Sequence, residues 1–304
     1  MSTLADARAF LIADVFTDRP FGGNQLAVLP EADGLTDAQL QALAREFNYS
    51  ESVFVLPPED PAHSARLRIF TPERELPFAG HPTVGAAAVL VGQGLLDPAA
   101  TGGRVLFEEG VGLVAVEVAG SFARLTLTSP YLRAEEPPAR AAVAAALSLP
   151  EGEVLDCWYG GVGLRFCYVL LTGRDAVDRA ALDRAAWAAG LAGGWAEDLH
   201  VGAGELADGG RVYARCFVPS MGVPEDPATG SAAAGLVAGL VARPGREPAE
   251  PAGEVRLTVE QGVAMGRPSV IEASARWREG RLSEVSVGGH TVLTATGLVS
   301  PGPA

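Results

Sequence analysis

The chain carries one helix-start design twice, 145 residues apart, and this repeat constrains its fold more than any other feature. Residues 225–240 read EDPATGSAAAGLVAGL: an Asp-Pro, a short polar turn, then small or apolar residues with no polar face. Pro is tolerated in the first turn of a helix, and Ser, Thr and Asp favour helix starts because they can cap free N–H groups. The pattern predicts a helix near 228–243, and a helix that is apolar all round is buried. Residues 79–91 read AGHPTVGAAAVLV and predict a second such helix near 82–95. With His81 over Asp226, Pro82 meets Pro227, Gly85 meets Gly230, and Ala87 and Ala88 meet Ala232 and Ala233. An apolar run ending in Phe-X-Pro precedes each, at 69–72 and 216–219.

The offset is close to half of the 304 residues. The economical reading is a duplication into two similar domains, 1–131 and 132–304, each with a buried central helix. Packed as a pseudo-symmetric pair, the two polar helix starts can face one cleft. Each start offers free N–H groups and a partial positive charge, which suits an anion such as a carboxylate.

A net charge of −14 argues against nucleic acid or an anionic membrane as partner. All 23 basic residues are Arg, so no Schiff base and no phosphate-loop lysine can form. His63, His81, His200 and His290 show no metal-ligand spacing on one helix, and no metal site is expected. Cys157, Cys167 and Cys216 are scattered and odd in number, as for reduced thiols in a cytoplasm. The start, MSTLADARAF, lacks a signal-peptide pattern, and no apolar run is long enough to span a membrane.

Residues 9–16 read as a buried first strand, followed by the turn-rich TDRPFGGN. Asn24 there either orients a substrate through its amide or caps a turn. Residues 26–29 resume an extended run, and residues 36–47 form an amphipathic helix with Leu40, Leu43 and Phe47 at helical spacing. Glu51 stands between that helix and the apolar strand 53–56. It is either a solvated turn residue or a partly buried acid suited to proton transfer. Residues 65–70 alternate as a strand, and residues 104–107, 113–118 and 122–128 add three more, a meander that fits around one helix. Residues 135–140 read as a linker, 143–147 and 179–189 as outer helices. Strands are expected at 163–171, 211–218, 255–260, 269–277 and 282–287, with a mobile surface loop at 243–253 and a Gly-punctuated turn at 261–269. His81 is either structural or a site group. The inventory of titratable groups near Gly/Pro turns is Glu51, His81 and Asp226, with Ser50, Thr83, Thr229 and Ser231 as hydroxyl donors. What remains is acid–base chemistry on a small anion without a cofactor.

FTDRPFGGNQLAVL, NYSES, GHPTVGAAA, EDPATGSAAAG and QGVAMGRPS together resemble the PhzF family of phenazine-biosynthesis isomerases, which shares the diaminopimelate epimerase fold. The resemblance spans essentially the whole chain. It implies an α+β protein of two similar domains related by a pseudo-twofold axis, each a curled, barrel-like mixed sheet around a central helix, and a homodimer. It implies cofactor-independent isomerisation of a trans-2,3-dihydro-3-hydroxyanthranilate-like acid. Glu51 matches the family's proton-shuttling glutamate, and His81 and Asp226 its histidine and aspartate. Ser231 matches a substrate-positioning serine, and Ser50, Gly80 and Gly230 fall where the family binds substrate. Gln25 stands where the family often has Pro. The related epimerases carry a cysteine at the start of each central helix, where this chain has Pro82 and Pro227. An amino-acid racemase of the same fold and a non-catalytic small-acid binding protein are the alternative readings.

Overall fold

The computed structural model describes residues 6–246 and 248–302. The chain divides into two compact units, residues 1–125 with 288–304, and residues 126–287. The sequence division at 131/132 leaves the C-terminal segment in the second domain. The structure returns it to the first unit because Arg8–Val299 through Val15–Thr291 pair as antiparallel strands.

The first unit runs β1 (Arg8–Val15), β2 (Asn24–Leu29), α1 (Asp37–Phe47), β3 (Glu51–Leu56), β4 (Ala65–Phe70), β5 (Glu75–Leu76), α2 (Gly80–Gly92), β6 (Arg104–Glu109), β7 (Gly112–Ala119) and β8 (Phe122–Leu127). The second runs β9 (Tyr131–Arg133), α3 (Arg140–Ala146), β10 (Val154–Val162), β11 (Phe166–Leu171), α4 (Arg174–Arg179), α5 (Arg184–Gly190), β12 (Leu199–Gly204), β13 (Gly210–Val218), β14 (Val223–Asp226), α6 (Gly230–Ala242), β15 (Ala252–Gln261) and β16 (Ser269–Arg278). The last strand, β17 (Arg281–Val299), supplies residues from Gly288 onward to the first unit.

Strand pairing establishes the duplication independently of the helix motifs. In the first unit β1–β2 is antiparallel, β2–β3 parallel, β3–β4 antiparallel, β4–β6 parallel and β6–β7 antiparallel. In the second, β10–β11, β11–β12, β12–β13, β13–β15 and β15–β16 repeat that alternation step for step. The short strands β5 and β14 lie antiparallel on β4 and β13. β7–β8 extends the first sheet, and β8 pairs back to β17 beside β1, closing it around α2.

Both inner helices are buried, as their lack of a polar face requires. His81–Leu90 is buried throughout, and α2 packs on β1, β2, β3 and β7. Gly85 lies so close to the Val15 and Leu26 side chains that a Cβ there would sit 2.5 Å from Val15. In the second unit α6 packs on β10, β11, β15 and β16, and Tyr168 Oη donates to Ala232 O at 2.9 Å.

The outer helices differ more from expectation. α1 begins as predicted, with Thr36 and Gln39 forming a capping box. The single helix expected at 179–189 is instead two short ones. Arg215 Nη1 donates to Val177 O, Asp178 O and Ala180 O, ending α4, and Asp183 Oδ1 then caps α5 through Ala185 N and Ala186 N. β10 and β12 had no counterpart in the predicted strands, and the expected linker at 135–140 leads into α3 within the second unit. Of the start MSTLADARAF, residues 1–5 lie outside the described residues, as does Glu247 of the expected loop at 243–253.

Candidate active site

The inner helices open without the side-chain caps that their sequences suggested. The N-cap of α2 is Ala79, which has nothing to offer, and Thr229, the N-cap of α6, makes no side-chain cap hydrogen bond. The first-turn N–H groups of both therefore lack the oxygen that Thr36 and Asp183 give α1 and α5. Gly80 and Gly230 are the first helical residues, and Ser231 the second of α6.

In the first unit, four of the residues singled out from sequence come together. β2 and β3 run parallel with Leu26 opposite Glu51, which brings Asn24 at the start of β2 near the start of β3. Ser50 Oγ donates to Asn24 Oδ1 at 3.1 Å, fixing the amide so that its Nδ2 faces His81 Nδ1 at 3.5 Å. Glu51 Oε2 lies 3.6 Å from the same ring nitrogen. Asn24 is buried, and Glu51 begins β3 and is mostly buried rather than standing in a solvated turn.

Burial pushes the His81 pKa down to about 3, with a hydrogen bond to the Gln25 backbone only partly opposing it. The imidazole is therefore neutral near pH 7, and the Glu51 contact is not an ion pair there. Its Nε2 is buried with no hydrogen-bond partner in the protein. A carboxylate, a neutral imidazole with one unmatched nitrogen, and an uncapped helix start form a set able to accept and return a proton beside an anion.

The second unit holds Asp226, Gly230 and Ser231. Asp226 is buried at the end of β14, and Thr229 Oγ1 donates to its Oδ2 at 2.5 Å. Thr229 uses its one hydroxyl hydrogen on this carboxylate, and its oxygen takes a hydrogen bond from Gln261 Nε2 at 2.9 Å. The other Gln261 Nε2 hydrogen goes to Asp226 O at 2.7 Å. Ser269 Oγ donates to Pro227 O at 2.9 Å. Gln261 and Ser269 are fully buried and pin the EDPAT turn from β15 and β16. The sequence places both at the ends of a Gly-punctuated turn and assigns neither residue a role of its own; the signal is a polar residue in the inward register of an alternating strand, Gln261 after Val255, Leu257 and Val259, and Ser269 before Ile271, Ala273 and Ala275.

Among the described residues no group of three or more His, Cys, Asp or Glu is arranged to hold a metal, and no helix is long and apolar enough to cross a membrane. All three cysteines are free and buried, and none stands at an inner helix start.

Comparison with known proteins agrees with this architecture. A family model described as phenazine biosynthesis-like protein (PhzC-PhzF) matches residues 13–297. An uncharacterized isomerase of Mesorhizobium japonicum is 37% identical over 306 residues, covering 95% of this chain and 98% of that protein. A trans-2,3-dihydro-3-hydroxyanthranilate isomerase of Pseudomonas fluorescens is 34% identical over 294 residues, with 95% and 98% coverage. The crystal structure of a Bacillus anthracis phenazine biosynthesis protein of the PhzF family superposes with a TM-score of 0.82 over 96% of this chain and 99% of that one. At 22% identity that likeness speaks to the fold, and the α+β architecture expected from the motifs is the one found.

Proposed function

The chain belongs to the PhzC-PhzF family of phenazine biosynthesis-like proteins, whose matched relatives are named isomerases, and from that premise we propose that it moves a proton within a small, unsaturated, carboxylate-bearing acid, without a cofactor. The observation that carries this reading is the Glu51 carboxylate 3.6 Å from a neutral, buried His81 at an uncapped helix start.

Glu51 is the acid/base in this proposal. It takes a proton from an sp³ carbon conjugated with the unsaturated acid, and the negative charge spreads toward the substrate carboxylate. Free N–H groups at a helix start stabilise that charge without having to reorient. Glu51, now protonated, returns the proton to another carbon. His81 binds a polar substituent through its otherwise unmatched Nε2. Ser50 and Asn24 hold the ring in place through the hydrogen-bond chain described above. Asp226, Gly230 and Ser231, with Gly80, are the proposed substrate-holding groups. The substrate class is that of the Pseudomonas fluorescens relative, an acid of the trans-2,3-dihydro-3-hydroxyanthranilate type.

A two-thiol racemase draws no support from the cysteines. Burial raises the pKa of Cys157, Cys167 and Cys216, so none is a ready thiolate. The deciding experiment is Glu51→Gln assayed with trans-2,3-dihydro-3-hydroxyanthranilate in deuterated water. Turnover and deuterium uptake are expected to fall together by about 10²-fold or more. Near-wild-type turnover would remove Glu51 from the mechanism.

A further inference from the structure

The second unit contains a cavity of about 410 Å³, lined among others by Leu164, Arg165, Trp195, Glu197, Asp198 and Ser220. That volume lies within the usual range for small-molecule sites. Its position follows from the duplication. The Phe-X-Pro runs align Phe70 with Phe217, and their strand partners are Ser52 and Leu199. Asp198 thus occupies the place of Glu51, and Glu197 that of Ser50. Along the neighbouring strands, Ala27 pairs with Ser52 as Cys167 pairs with Leu199, so Leu164 and Arg165 occupy the places of Asn24 and Gln25. Gly163, just before them, shares with Gly23 a positive φ, 76° against 62°. The cavity is therefore lined by the register equivalents of Asn24, Gln25, Ser50 and Glu51.

We infer that this cavity is a second ligand site, the duplicated counterpart of the Glu51 cluster, and that it takes a small carboxylic acid bearing an amino or hydroxyl donor. Arg165 is the anion anchor. Its guanidinium lies 4.9 Å from the centre of the Trp195 ring, whose position beside Tyr159 (5.7 Å) limits its movement. A guanidinium stacked in this way keeps its N–H edge for a carboxylate. Glu197 and Asp198 accept from the ligand's donor group. Asp198 is buried, and Ser220 donates to both of its oxygens, from N at 3.1 Å and from Oγ at 2.7 Å. Each carboxyl oxygen keeps a second lone pair, and burial raises the Asp198 pKa against the two Ser220 hydrogen bonds. Asp198 is thus held still, and this site binds rather than transfers protons.

The inference rests on reading the Glu51 cluster as a site, and its test separates the two. The full chain is titrated calorimetrically with anthranilate, which carries carboxylate and amine, and with benzoate, which carries the carboxylate alone. Arg165→Gln is expected to weaken anthranilate binding about tenfold or more, the loss of a charge-assisted hydrogen bond. Glu197→Gln is expected to narrow the preference for anthranilate over benzoate. Unfolding temperatures of both variants check that the fold is intact. Binding unchanged in Arg165→Gln, or no binding by the wild type, overturns the inference, and so does a folded wild type that binds benzoate as tightly as anthranilate. Loss of turnover in Glu51→Gln together with unchanged binding in Arg165→Gln defeats only this inference. The converse pair of results defeats only the proton-transfer reading.

Discussion

The two units share a strand-pairing order but differ at the start of the inner helix. Around α2 stand a neutral imidazole, an amide, a hydroxyl and one carboxylate, arranged so that His81 Nδ1 is met from two sides. Around α6 the carboxylate itself is tied, with Thr229 donating to Asp226 and Gln261 donating to both Thr229 and the Asp226 backbone. The comparison teaches that a duplicated scaffold preserves what positions a site and frees the side chains at the helix start to diverge. On the proposed reading, the first unit presents a proton acceptor and the second a carboxyl group held by its neighbours.

The largest expected effect tests that division. Glu51→Gln should lower kcat about 10²-fold or more, roughly 2.7 kcal/mol of barrier. Asp226→Asn should act mainly on KM, because a tied carboxylate holds a substrate and does not shuttle its proton. Equal collapse of kcat in both variants would erase the distinction.

Packing of the two helices gives the next contrast. A Cβ at Gly235 would lie 2.1 Å from Tyr168 Oη and 2.9 Å from Gly161 Cα, whereas a Cβ at Gly92, the last residue of α2, meets nothing within 4 Å. Gly235→Ala should destabilise by about 2–3 kcal/mol through overpacking. Gly92→Ala should be neutral or stabilise by up to about 1 kcal/mol, since Gly is a poor helix former. Urea unfolding of the pair checks both, and a neutral Gly235→Ala would mean that the second helix is less closely held than the distances indicate.

Gln261→Leu strips three hydrogen bonds from the EDPAT turn: those from Gln261 Nε2 to Asp226 O and to Thr229 Oγ1, and the longer one from Thr229 N to Gln261 Oε1. A loss of about 1–2 kcal/mol is expected. On the proposed reading KM rises with it, and Gln261→Glu, which restores shape but not the donors, should not rescue either measurement.

How much of this was legible follows from the range over which each feature is specified. The inner helices were readable because burial on all faces and Pro/Gly punctuation are local patterns, and their observed spans Gly80–Gly92 and Gly230–Ala242 fall within a few residues of expectation. Glu51 and His81 came from motifs, but their contact with Asn24 and Ser50 depends on the parallel β2–β3 register, which no local pattern encodes. Gln261 reaches Asp226 from 35 residues away, and Glu109 meets Thr83 from 26. The break between α4 and α5 is imposed by Arg215, a residue of β13. The return of the last strand to the first unit is likewise a long-range pairing, set by β1.

The smallest predicted effect concerns what braces each helix start. The second unit uses an amide, Gln261, which does not titrate. The first uses an acid: Thr83 Oγ1 lies 2.7 Å from Glu109 Oε1 and 2.8 Å from Ala79 O. Thr83 has one hydroxyl hydrogen and two oxygen neighbours, so a protonated Glu109 satisfies all three atoms by donating to Thr83 while Thr83 donates to Ala79 O. Burial agrees, pushing the Glu109 pKa from 4.5 up to about 8 against the Thr83 hydrogen bond. The folded chain therefore holds a proton that the unfolded chain releases above about 4.5, and stability from this group is lost as pH rises toward 8. His81 and His200, whose pKa values burial lowers to about 3 and about 4, act in the opposite sense below about 6.5 and leave the higher range clear. Between pH 7 and 8 the wild type should lose about 1 kcal/mol more stability than Glu109→Gln, in which the amide keeps a donor for Thr83 at every pH. Parallel stability curves for the two proteins across that interval would mean that Glu109 is already ionised at neutral pH, and that the two helix starts are braced alike.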